Sequence, residues 1–124
     1  MQFFFLINLD DTEIEVLRRA IEHYLRVCRR EIKQGGSVPF IAHSGVLKYF
    51  RRNIKKQLDV RGKVAIGDSE MLSCEAAFAN YLDMCAQKIG TGAVEPFITD
   101  KVIIKQIWER MSREMYQVMF GHPA

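Results

Sequence analysis

The residues best suited to catalysis or metal binding are three cysteines, three histidines and a repeated pair of carboxylates. Cys28, Cys74 and Cys85 lie far apart in the chain, and none occurs in CxxC spacing. Metal-binding cysteines occur mostly as closely spaced pairs, and secreted disulfide frameworks use even numbers of cysteines. We therefore expect buried, reduced thiols that bind no metal.

The carboxylates Asp11 and Glu13 recur 57 residues later as Asp68 and Glu70. Such a symmetric pair of acids is suited to acid–base catalysis or to a metal ion. Each pair also lies where a helix is predicted to begin, and helix capping is therefore the favoured interpretation. The histidines share no ligand spacing, and no Gly-rich phosphate loop, GxSxG or HExxH motif is present. The sequence predicts no catalytic residue, no cofactor and no enzymatic activity.

The strongest chemical feature is the run of cations in KYFRRNIKK, residues 48–56. No acidic residue occurs between His43 and Asp59, so these cations repel one another without local compensation. An acidic protein surface, phosphate groups or solvent ions alone would each relieve that repulsion. Tyr49 borders the same face. The predicted partner-binding cations of this segment are Lys48, Arg51, Arg52, Lys55 and Lys56.

A second basic stripe, formed by Arg19, Arg26 and Arg30, lies opposite the apolar face of the preceding helix. Glu15 and Glu22 come four residues before Arg19 and Arg26, which is the spacing of stabilising ion pairs on a helix surface. A solvated, ion-paired face is therefore the favoured interpretation of this stripe, and its three arginines are assigned an accessory role in partner binding.

Charge divides the chain into unlike halves. Residues 1–57 contain 11 Lys and Arg against 6 Asp and Glu, a net charge of +5, whereas residues 58–124 contain 7 against 9, a net charge of −2. We therefore predict a non-enzymatic interaction module, a regulator or inhibitor that binds an acidic protein through the basic N-terminal half. Nucleic-acid binding through the same helices is the alternative. It ranks second because nucleic-acid-binding domains usually have a pI above 9, and this chain has a pI of about 8.8.

The two halves are nevertheless related in sequence. Without a gap, residues 1–57 match residues 58–114 at 12 positions. YLRVCRREI at 24–32 corresponds to YLDMCAQKI at 81–89, and PFI at 39–41 recurs at 96–98. Self-similarity at a fixed period indicates a repeated structural unit. The sequence therefore predicts a tandem duplication, with residues 115–120 extending the last helix.

Each unit is predicted to consist of a strand, a long helix, a short loop and a second helix. The strands are expected at about 3–9 and 63–66. The first helices are expected to begin with caps at Asp11 or Thr12 and at Asp68 or Ser69, with Glu15 completing a capping box in the first unit only. They are expected to end near Gly35-Gly36 and near Gly90 and Gly92.

The second helices are expected to begin near Ser44 and near Thr99 or Asp100. Each is expected to follow a bend that is fixed by a proline, Pro39 or Pro96. Residues 55–62 are predicted to join the halves. In both units, apolar residues recur at helical spacing, as in Leu47, Phe50 and Ile54.

The predicted fold is mostly α (α+β), with four helices packed around a short two-stranded antiparallel sheet in a single domain of residues 1–124. Hydrophobic residues make up 48% of the chain and charged residues 27%, which is typical of a soluble globular protein. MQFFFLI lacks the basic start of a signal peptide, and no apolar run is long enough to span a bilayer. These features predict a cytoplasmic protein without membrane contact. Residues 3–7 are apolar on both faces of an open-edged strand, which predicts a homodimer.

Overall fold

The computed structural model describes residues 3–36 and 38–121, apart from the side chain of Arg61. Its elements follow in the order β1 (Phe4–Ile7), α1 (Asp11–Lys33), α2 (Val38–Arg61), β2 (Val64–Gly67), α3 (Asp68–Gly90) and α4 (Phe97–Phe120). The fold is mostly α with one small sheet, as predicted. None of the four helices described here combines the length and the apolar character needed to cross a lipid bilayer.

The two strands pair antiparallel, with Phe4 opposite Gly67 and Ile7 opposite Val64. Because side chains alternate across a strand, Phe5 and Ile7 enter the core while Phe4 and Leu6 stay exposed. β1 is shorter than the predicted strand of residues 3–9, since the chain leaves the sheet after Ile7 to reach the cap of α1.

The N-cap of the first helix in each half lies one residue before the earliest predicted cap, at Asp10 and at Gly67. The carboxylate of Asp10 accepts a hydrogen bond of 2.8 Å from the amide of Glu13, and the carboxylate of Glu13 accepts one of 3.0 Å from the amide of Asp10. At α3, the carboxylate of Glu70 accepts a 2.8 Å hydrogen bond from the amide of Gly67, whose missing side chain leaves only this half of the capping box. The capping box predicted for Glu15 is therefore wrong, because the glutamate must lie three residues after the true cap.

The predicted glycine ends of α1 and α3 are confirmed at Gly35 and Gly92. Both adopt left-handed backbone conformations, with φ of 80° and 98°. The chain then turns back, and the next amide bonds to the carbonyl five residues earlier, from Gly36 to Glu31 and from Ala93 to Lys88. This pattern satisfies carbonyls that the ends of the helices leave unpaired.

The second helices begin earlier than predicted. α2 starts at Val38, so Pro39 lies in its first turn, where a proline lacks only an amide hydrogen that would have no helical partner. Pro96 instead immediately precedes α4. The prolines therefore do not fix the same bend. α2 also continues through residues 55–61, which were predicted to link the halves, while α4 ends before Gly121 as predicted.

The core lies between the four helices and the inner face of the sheet. α1 and α3 contribute residues at equivalent positions, including Tyr24 with Tyr81 and Cys28 with Cys85, all of which are buried. Ile32 continues the apolar helical spacing of Tyr24 and Cys28, but it is exposed at the end of α1. The order strand, helix, helix occurs twice, as a duplication requires. The different settings of the two prolines count against equivalent loops, and superposition of the two halves stays a prediction.

Candidate partner-binding surface

The five cations of α2 all lie on its solvent side and are exposed. We call this set the basic face of α2: Lys48, Arg51, Arg52, Lys55 and Lys56. None of the ion pairs between the side chains that the structure describes involves any of them. Tyr49, beside this face, is 67% exposed. The structure therefore places all six predicted residues of this segment on one accessible surface.

The burial of the opposite side of α2 explains this arrangement. Leu47, Phe50 and Ile54 are nearly inaccessible to solvent and fix the rotation of the helix about its axis. At 100° per residue, the five cations then fall within an arc of about 140° on the other side. Their exposure therefore follows from the apolar spacing of α2.

Arg19, unlike the five cations of α2, has an ion-pair partner within the described part of the fold. Its Nε and Nη2 atoms donate hydrogen bonds of 2.8 and 2.7 Å to the two carboxylate oxygens of Asp100 in α4. The predicted ion pair between Glu15 and Arg19 is wrong, because Glu15 pairs with Arg18 at 3.0 Å. Arg19 thus connects α1 to α4, and its guanidinium has a partner within the fold.

Asp100 is only 1% exposed, and the hydroxyl of Tyr81 also donates a hydrogen bond to its carboxylate. Burial alone would raise the pKa of Asp100, but the hydrogen bonds from Arg19 and Tyr81 outweigh it and lower that pKa. Burial and the hydrogen bond to the carboxylate both raise the pKa of Tyr81, so its hydroxyl remains a donor. The three side chains form a satisfied polar cluster that extends from the buried Asp100 to the partly exposed Arg19.

This cluster is not predicted by the sequence analysis, because Asp100 is treated there only as a possible first residue of the last helix. A signal was present, since Asp100, Ile104, Ile107 and Met111 follow helical spacing and all four are buried. A carboxylate on an apolar stripe requires a partner in the core. The identity of that partner could not be read from the spacing.

The other two arginines of the stripe, Arg26 and Arg30, are exposed in the second half of α1. Arg30 lies in the last turn of α1, where a cation interacts favourably with the helix dipole, whereas Arg26 lies one turn earlier. His23 is half-buried beside them, with its ring edge-on to Tyr81 at 5.8 Å. Burial and the charge of Arg26 lower the pKa of His23, which favours its neutral form.

A second polar contact joins the halves at the position equivalent to Asp100. His43 lies 57 residues before Asp100, and its Nδ1 atom is 2.8 Å from the hydroxyl of Ser73 in α3. The ring of His43 is 6.2 Å from that of Tyr24, the equivalent of Tyr81. Polar contacts between the halves thus recur at matching positions with different chemistry.

The three cysteines are buried and unpaired, as predicted. Burial raises the pKa of each thiol, so all three remain protonated at neutral pH. Within residues 3–36 and 38–121, no three His, Cys, Asp or Glu side chains come together as a candidate metal site.

A cleft of about 350 Å³ opens between the first half of α1 and the second half of α2. Ile14, Ile54 and Leu58 form its apolar floor, and charged residues form its rim. Two of these, Arg51 and Lys55, belong to the basic face of α2. The cleft therefore adjoins the predicted partner-binding surface.

The chain matches no family model, no curated protein and no solved structure.

Proposed function

We propose that this protein is a non-enzymatic interaction module, a regulator or inhibitor, that binds an acidic protein through the basic face of α2. The observation that carries the proposal is the exposure of all five cations without an ion-pair partner among the described residues. An acidic partner would neutralise their mutual repulsion and remove them from water together. Tyr49 supplies an exposed aromatic ring at the border, a residue type enriched at the centres of interfaces.

Arg26 and Arg30 remain accessory candidates, while the proposal assigns Arg19 to the core cluster because Asp100 occupies its guanidinium. We place the protein in the cytoplasm. These assignments make α2 the recognition element and the rest of the fold its support.

Nucleic-acid binding is the second candidate, and the same five exposed cations favour it. No recognisable helix-turn-helix signature precedes α2 in the sequence, so phosphate contacts would dominate over reading of bases. Binding to phosphates would fall steeply with salt for every DNA or RNA sequence.

The test compares wild type with the variant Lys48→Glu/Arg52→Glu/Lys55→Glu. The probes are poly-glutamate and a generic DNA duplex, each measured by fluorescence anisotropy at low and moderate salt. We expect poly-glutamate affinity to fall at least about tenfold, while thermal stability changes by less than about 0.5 kcal/mol per substitution. Unchanged poly-glutamate affinity would contradict the proposal, and preferential binding of wild type to the duplex would favour the second candidate.

A matched control separates the surface from net charge. Lys63, Lys88 and Lys105 are exposed and lie outside α2, and their reversal to Glu changes net charge by the same amount. This control should retain binding. Host proteins captured by wild type and by the control, but not by the α2 variant, are the candidate partners for identification by mass spectrometry.

A further inference from the structure

The cleft between α1 and α2 has an ordered distribution of charge along its length. The helices run antiparallel, because Tyr24 meets His43 at one level while residues 11–18 meet residues 51–59 further along. Asp11 and Asp59 therefore face each other at one end of the cleft, and Arg18 and Arg51 at the other. The rim is acidic at one end and basic at the other.

Between these ends the cleft is apolar at its base. Ile14, Ile54 and Leu58 form the floor, while Glu15 and Lys55 lie on opposite walls. A volume of about 350 Å³ lies in the range of pockets for small molecules. The arrangement fits a molecule that is positive at one end, negative at the other and apolar between them.

The length of the cleft restricts the ligand further. Seven residues separate Asp11 from Arg18, which corresponds to about 10 Å along a helix. An extended peptide advances about 3.3 Å per residue, so the charged termini of a tripeptide would span a similar distance. A tripeptide also carries a side chain between its termini.

We propose that this cleft binds a short free peptide with an apolar central side chain. Its ammonium group lies beside Asp11 and Asp59, its carboxylate lies beside Arg51 and Arg18, and its side chain packs on the apolar floor. Since Arg18 is already paired with Glu15, Arg51 provides most of the contact with the carboxylate. This ligand is separate from the acidic protein of the proposed function, although both would contact Arg51 and Lys55.

The test is an NMR titration of the full chain with Gly-Leu-Gly at millimolar concentrations. We expect saturable shifts of the backbone amides of Ile14, Ile54 and Leu58. Acetylation of the amino terminus or amidation of the carboxyl terminus should each weaken binding about three- to fivefold, as loss of one exposed ion pair implies. Replacement of the central leucine by glycine should abolish the shifts. Absence of saturable shifts, or equal binding of the blocked peptides, would overturn the proposal.

Two matched arginine variants separate this site from the proposed protein-binding surface. Arg51→Gln should weaken peptide binding about threefold. Arg52→Gln removes a neighbouring cation of the basic face that does not line the cleft, so it should leave peptide binding unchanged. Equal weakening by both variants would show general electrostatic attraction and overturn the site. Peptide binding that persists when the poly-glutamate test fails would refute the proposed function alone.

Discussion

At the scale of single residues, Asp100 places the strictest demand on its surroundings. Its carboxylate is buried and bonded to Arg19 and Tyr81, whereas 41% of the Arg19 side chain remains exposed. The pair is therefore unequal, because the arginine retains access to water and the aspartate does not. Loss of either partner should have different consequences.

We predict that Arg19→Ala destabilises the protein by about 3 kcal/mol, because it leaves a buried carboxylate with only the hydroxyl of Tyr81. Asp100→Asn should cost about 1–2 kcal/mol, since an uncharged amide replaces the carboxylate and Arg19 can be hydrated. Urea denaturation measures both values. Arg18→Ala is the control, as its exposed pair with Glu15 should contribute less than about 1 kcal/mol. Equal losses for Arg19→Ala and Asp100→Asn would contradict this account.

The same cluster predicts a dependence of stability on acid. The pKa of Asp100 is lower in the folded protein than its ordinary value of 3.8, so the unfolded chain takes up the proton first as pH falls. The stabilisation is therefore fully present above pH 3.8 and is lost as pH falls through the lowered pKa. The difference in free energy of unfolding between wild type and Asp100→Asn should be constant near neutral pH and should shrink below pH 3.8. A difference that persists into strong acid would refute the assignment.

At the scale of elements, sequence patterns predicted the presence of the helices more accurately than the residues at which they begin. The apolar spacing of α2 was correct at Leu47, Phe50 and Ile54, but its start was misplaced by six residues. Pro39 was interpreted as a bend because proline interrupts a helix interior, although the first turn accepts it. The ends of α1, α3 and α4 were predicted correctly, because the left-handed conformation that follows them selects glycine. The end of α2 was predicted too early, although Gly62 follows it with a φ of 69°.

Two glycine substitutions test this contrast between helix end and helix interior. Gly92→Ala should destabilise the protein by about 1–2 kcal/mol, because a Cβ atom is unfavourable at its positive φ. Gly45→Ala should stabilise it by up to about 1 kcal/mol, because Gly45 lies exposed within α2 with open space around it. Thermal denaturation of both variants measures the two effects. Shifts of the same sign would contradict the assigned backbone conformations.

At the scale of the whole molecule, the sheet leaves apolar surface uncovered. Phe4 is 62% and Leu6 is 42% exposed on its outer face. Within the described part of the chain the sheet has two strands, so each strand has one edge without a strand partner. Open edges of this kind favour pairing with another chain.

We predict a homodimer formed through the part of the sheet that exposes Phe4 and Leu6. Light scattering should give twice the chain mass of 14.4 kDa, and Leu6→Lys should shift the protein toward monomer. Leu72→Lys is the control, since Leu72 is 63% exposed on α3 and lies outside the sheet. A monomer at high protein concentration would refute the dimer.

The sequence by itself determined most of the residues that face inward and the helix that carries the exposed cations, because helical periodicity is a local property. It therefore predicted the buried cysteines, the rotation of α2 and the exposure of Lys48 and Arg52. The tertiary structure alone decided that Arg19 meets Asp100, 81 residues further along the chain, and that α1 and α2 enclose a cleft. These contacts depend on how the helices pack against one another, and the periodicity of one helix contains no information about the residue that another helix places opposite it.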